Sequence, residues 1–83
     1  MDNRIKELIA VGASVTANCQ PCLSYHVGKA KENGAGEQEI GEAITIAKMV
    51  RKGAMTKMDQ FGSTVFKPAE ANAGALEKGC GCG

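Results

Sequence analysis

The chain has 83 residues, ten of them basic and nine acidic, for a net charge of +1. That length allows one small domain with a thin core of its own, since Tyr25, Phe61 and Phe66 are the only large rings. The interleaved charges, without stacking aromatics, exclude a nucleic-acid surface, and no run approaches the ~18 apolar residues of a membrane helix.

The start of the chain lacks the apolar stretch of a secretory signal, so a cytoplasmic location is expected. Thiols are kept reduced there and structural disulfides are rare, so four cysteines point to catalysis or metal binding rather than to stapling. The burial that the thin core lacks is expected from a partner subunit.

The fold expected is all-α, a small bundle of three main helices assembled as an oligomer and followed by a flexible tail. A first helix is predicted from about Asp2 to Ala17, capped by Asp2 or Asn3, with Ile5, Leu8, Ile9, Gly12 and Val15 on its buried stripe. Gly12 and Ala13 are small enough for another backbone to approach, and Thr16-Ala17-Asn18 reads as the break. A second helix begins between Cys19 and Pro21, since proline suits a first turn, and runs to about Glu32. Asn33-Gly34-Ala35-Gly36 ends it.

The third helix is predicted from Glu37 to about Asp59, with Ile40, Ala43, Ile44, Ala47, Val50, Ala54 and Met58 on its buried face. Acidic residues at its start and basic ones later complement the helix dipole. Gly53 implies a packing reason there. Lys48, Arg51, Lys52 and Lys57 make a strip that reads as a solvated face. The domain is expected over 1–60 and a tail over 61–83, in which Phe61 and Phe66 dock on the helices and Pro68 ends regular structure.

The chemistry is expected in Cys19-Gln20-Pro21-Cys22-Leu23-Ser24-Tyr25-His26. A C-x-x-C pair at a helix start brings two thiols within disulfide reach. The helix N-terminus favours the thiolate, which is the nucleophile of disulfide exchange. His26 follows Cys22 by four residues, hence one turn along the same face, where an imidazole can take the thiol proton. Glu7, on the preceding helix, could orient His26 if the two helices pack antiparallel. Proximity to His26 favours Cys22 as the attacking thiol, whereas helix-start exposure favours Cys19. The competing reading is a metal-binding protein: Cys19, Cys22 and His26, with Cys80 or Cys82, would suit tetrahedral zinc or another soft metal.

Glu7, Cys19 twelve residues on, Cys22 three further and His26 four further resemble the E-x11-C-x2-C-x3-H signature of the alkylhydroperoxidase D-like branch of the carboxymuconolactone decarboxylase family. The likeness covers about residues 4 to 58 and includes the helix that opens Gly-Glu-Gln-Glu-Ile-Gly-Glu-Ala-Ile. It implies an all-helical fold, trimers or hexamers, and dithiol chemistry that reduces peroxides or partner disulfides with no bound cofactor. It also implies a thiol–disulfide electron-donor protein or lipoyl-type donor as partner. By position, Cys19 and Cys22 would be the redox pair, with His26 and Glu7 in the proton relay. The family's hydroperoxidases carry a histidine between the cysteines, where this chain has Gln20-Pro21. That departure favours disulfide reduction over peroxidase turnover.

Cys80 and Cys82, in a Gly-Cys-Gly-Cys-Gly terminus, lie outside this likeness. Two thiols there are an oxidation liability without a use. They are expected to form an auxiliary dithiol arm that exchanges electrons with Cys19 and Cys22, or else a soft-metal clamp.

Overall fold

A computed structural model describes residues 1–67; the expected tail beyond, with Cys80 and Cys82, lies outside the described residues. The architecture is all-α: α1 (Asn3–Thr16), α2 (Gln20–Glu32) and α3 (Glu37–Val65). Helix α1 lies between the other two and packs on both, while α2 and α3 scarcely touch.

Each helix begins where the sequence supplies a cap. The Asp2 carboxylate accepts the Arg4 N–H at 2.7 Å and opens α1. Cys19 is the N-cap of α2, with Pro21 in the first turn. Gly36 caps α3, and the Glu39 carboxylate reaches back to accept the Gly36 N–H at 3.1 Å. The Arg4 guanidinium also donates to Glu39, which ties the start of α1 to the start of α3.

Two turns of one type join the helices. In the first, Asn18 takes the left-handed conformation at φ 57°, its N–H bonds to the Val15 carbonyl, and the Cys19 N–H bonds to that of Ser14. In the second, Gly34 sits at φ 90°, its N–H bonds to Lys31, and the Ala35 N–H bonds to Ala30. Both are Schellman closures, which satisfy carbonyls that the helix end leaves open.

The core is small. Val11, Ala30, Ala35 and Ile40 are buried, with Leu8, Leu23, Val27, Ala43 and Ile44 packed around them. Val11 is fully enclosed, and burying a side chain of its size stabilises by about 1.5–3 kcal/mol. Buried Ser14 donates its hydroxyl to the Ala10 carbonyl at 2.7 Å, so no polar cost remains there. The helices α1 and α3 come close at Gly12, where an added Cβ would stand 3.6 Å from the Ala43 carbonyl oxygen.

Several expectations are corrected here. The third helix runs past Asp59 to Val65, through the expected boundary at residue 60. No proline interrupts Gln60–Val65, and Gly62 alone costs only about 1 kcal/mol. Phe61 and Phe66 do not dock: they are 63% and 66% exposed. Ile5, Ile9, Val50, Ala54 and Met58 are exposed as well, although each falls on an apolar row. Being flanked on two sides, α1 buries Val11, Ser14 and Val15, and leaves the Ile5–Ile9 row lining an open groove with Ile46 and Val50. Gly53 has open space beside it among the described residues, and none of them explains it. Among the described residues, no helix is long and apolar enough to cross a membrane.

Candidate active site

The site is built on the junction of α1 and α2. The Schellman closure hands the chain from one helix to the next across only three residues, Ala17 to Cys19, so Cys19 serves both as the last residue of the turn and as the cap of α2. Its Sγ accepts the Cys22 N–H at 3.3 Å, which places the sulfur where the backbone donors of the first turn converge. Cys19 and Cys22 are joined as a disulfide, with 5.2 Å between their Cα atoms. Cys19 is half-buried and Cys22 is exposed.

His26 lies one turn beyond Cys22 on α2, and Glu7 lies on α1. Their side chains meet, with His26 Nδ1 2.7 Å from Glu7 Oε1. The side chains are 29% and 15% exposed, so the contact is sheltered from water. With the carboxylate ionised it accepts from Nδ1–H, and a neutral imidazole then keeps its lone pair on Nε2. Tyr25 lies edge-on to His26, with ring centroids 5.0 Å apart, and the Lys29 ammonium stands 5.7 Å above the Tyr25 ring.

The structure thus brings Cys19 together with Cys22 and His26 together with Glu7. It does not converge Cys19, Cys22 and His26 as a metal set: among the described residues, no three His, Cys, Asp or Glu side chains are placed to hold an ion. In this disulfide form the sulfurs of Cys19 and Cys22 are bonded to each other, and Cys80 and Cys82, the further ligands of the zinc reading, lie outside the described residues.

Two residues carry more than the sequence indicates. Arg51, read as part of a solvated strip, is half-buried, and its Nη1 donates to the Val15 carbonyl at 3.1 Å and to Asn18 Oδ1 at 2.9 Å. It therefore braces from α3 the turn that positions Cys19. Lys48, one turn earlier on α3, lines a groove of about 390 Å³ that opens beside Cys19. The linear signal was limited to the i, i+3 spacing of the two cations, and only the α1–α3 crossing aims them at the turn.

The chain is similar to a protein of Paracoccus denitrificans named "Uncharacterized protein 4 in cox locus", at 41% identity over 54 residues, 65% of this chain. It matches 49% of that relative, and so spans about half the relative's length. No solved structure matches. With a family match over residues 1–58, which takes in the capped cysteine pair, His26 and Glu7, the chain belongs to the carboxymuconolactone decarboxylase family.

Proposed function

We propose that this protein is a thiol–disulfide oxidoreductase of the alkylhydroperoxidase D-like branch, with partner disulfides as its main substrates and peroxides as lesser ones. One observation carries the reading: a C-x-x-C pair at the cap of α2, already at disulfide geometry, with a sheltered Glu7–His26 pair one turn along. The decarboxylation in the family name has no use for a dithiol. Gln20-Pro21 between the cysteines supplies no further relay base.

In the reduced protein His26 Nε2 accepts the Cys22 proton, with Glu7 stabilising the imidazolium. The Cys22 thiolate attacks one sulfur of a partner disulfide, forming a mixed disulfide and expelling one partner thiol. Cys19 then attacks Cys22 Sγ, closing the protein disulfide and releasing the second thiol. Two electrons leave the protein and the partner gains both.

The test is thiol mapping by mass spectrometry across poised redox buffers, with metal content read on the same sample, joined to turnover with a small disulfide. A reversible Cys19–Cys22 disulfide in metal-free protein is expected. Cys19→Ser and Cys22→Ser should abolish turnover, and His26→Ala should lower it about 100-fold. Full turnover in either serine variant would exclude this mechanism.

The reading includes self-association. Every described residue from Lys52 to Lys67 is exposed, and this part of α3 carries Met55, Met58, Phe61 and Val65. A helical segment this short holds poorly without tertiary cover, and a second copy of the chain supplies a matching apolar face. Sedimentation should show a trimer or hexamer, and Phe61→Glu should dissociate it. A monomeric wild-type protein at working concentrations would end this part of the proposal.

A further inference from the structure

The groove beside Cys19 has a lining that the dithiol chemistry alone does not require. Val15, Leu23 and Ile44 give it apolar walls, Cys19 lies at one edge, and Lys48 and Arg51 contribute two positive charges. Among the described residues no carboxylate lines it. Among the described residues Lys48 makes no ion pair. Arg51 uses only Nη1 for its two bonds to the turn, so its Nη2 and Nε donors are uncommitted among those residues. Cys22, by contrast, does not line the groove.

We infer that this groove seats the thiol that reduces the protein, and that it selects a thiol compound with an apolar body and an anionic group held by Lys48 and Arg51. The inference rests on the dithiol reading above and adds a division of labour: substrate is reduced at Cys22, and electrons enter at Cys19. A donor thiolate in the groove attacks Cys19 Sγ, a donor–Cys19 disulfide forms, and the Cys19–Cys22 bond breaks. Cys22 departs as a thiolate and takes up a proton from solvent, for which His26 is the relay. A second donor thiolate, or the second thiol of a dithiol donor, then attacks the donor sulfur of the mixed disulfide. Cys19 is released as a thiolate that takes up a proton. Two donor thiols are oxidised to one disulfide, and the protein disulfide is reduced to two thiols.

A carboxylate on the donor disfavours ionisation of its thiol and so lowers its thiolate fraction in water, which means that its selection needs cations fixed beside the target sulfur. Lys48 and Arg51 supply them on a surface walled by apolar side chains, where charges are screened less than in open solvent. The apolar walls favour a donor with a short hydrocarbon body over a bare anion.

The experiment follows the reduction of the oxidised full-length protein by three small thiols, mercaptosuccinate (anionic), 2-mercaptoethanol (neutral) and cysteamine (cationic), with free protein thiols counted after acid quenching. Intrinsic thiol reactivity cancels when each rate is divided by the same rate in Lys48→Gln. That side chain is exposed and touches no charged partner among the described residues, so the fold should survive the change. Lys48→Gln should slow mercaptosuccinate about threefold to fivefold and leave 2-mercaptoethanol within about twofold, as expected for one partly screened charge. Lys48→Glu should deepen the loss and make cysteamine the better donor. Raising salt to about 0.5 M should erase most of the difference in the wild type. Equal changes for all three thiols, or none, would overturn the inference while leaving the dithiol chemistry standing. A Cys19–Cys22 disulfide that none of the three reduces would remove the dithiol reading itself.

Discussion

The two interhelical turns share one backbone solution and differ in what it is used for. Each closes a helix with the same pair of hydrogen bonds through a residue of positive φ, and each hands directly to the next N-cap. At the second turn the left-handed residue is Gly34, the following Ala35 is buried in the core, and the α3 cap is reinforced by the Glu39 carboxylate. At the first, the left-handed residue is Asn18, whose side chain is held by Arg51, and the following residue is a half-buried cysteine that caps α2 through sulfur. Sulfur is a weak acceptor beside a carboxylate. The first turn therefore accepts a weaker cap and a strained residue, and in return keeps a reactive group where backbone donors converge. A difference of this kind between matched turns separates a site from a joint.

The contrast is broken most severely at Gly34. A β-branched residue at φ 90° is strained whatever the surrounding space, and apart from its chain neighbours no described residue comes within 4 Å of an added Cβ there. Gly34→Val should cost about 2–3 kcal/mol of unfolding free energy, read from urea titration. Turnover per folded molecule should stay unchanged, because this turn holds no chemistry. A loss of turnover exceeding the loss of folded protein would show that the second turn also shapes the site.

At Asn18 the expected cost is smaller and the functional effect larger. Asn18→Ala loses the Arg51 bond and puts an alanine in the left-handed region, together about 1–2 kcal/mol. Asn18→Gly loses the same bond but relieves the backbone, so its stability should stay within about 0.5 kcal/mol of the wild type. Both variants remove the Asn18 half of the brace and leave the Arg51 bond to the Val15 carbonyl, so both should loosen the turn before Cys19 and shift the reduction potential of the Cys19–Cys22 pair in the same direction. If Asn18→Gly matches the wild type in potential as well as in stability, the Asn18–Arg51 bond has no bearing on the cysteines.

Much of this comparison was legible in the sequence. Thr16-Ala17-Asn18 read as a break, Asn33-Gly34-Ala35-Gly36 ended α2 with residues that tolerate positive φ, and Pro21 marked the start of α2. The spacing of Glu7, Cys19, Cys22 and His26 indicated one local assembly, and the 2.7 Å contact between Glu7 and His26 gives that spacing a geometry. The role of Arg51 was illegible, since it depends on α3 crossing the end of α1, a contact 33 residues away in sequence from Asn18. The burial of Val11 instead of Ile5 and Ile9 had a similar origin. Periodicity finds an apolar face, but it does not say how many neighbours a helix has, and α1 has two. The outer half of α3 failed for the opposite reason: its apolar row is real, and no other described element reaches it.

The mildest change sharpens the second turn from its polar side. The Glu39 carboxyl is held below the usual carboxylate range, chiefly by the Gly36 backbone N–H and then by the Arg4 guanidinium. A carboxyl with a lowered folded-state pKa contributes stability that is present above its unfolded value and lost as pH falls through the folded one. Glu39→Gln removes that linkage while leaving an amide oxygen able to accept from Gly36. The urea midpoint of Glu39→Gln should therefore lie slightly below the wild type at pH 7, and the two should converge below about pH 4, where carboxylates protonate. The side chain is 43% exposed, so salt should narrow the gap at neutral pH. A gap that persists unchanged from pH 7 to acid would mean that the cap works through the shape of the side chain alone. In that case both turns would be capped without help from charge, and the contrast between them would reduce to sulfur against oxygen.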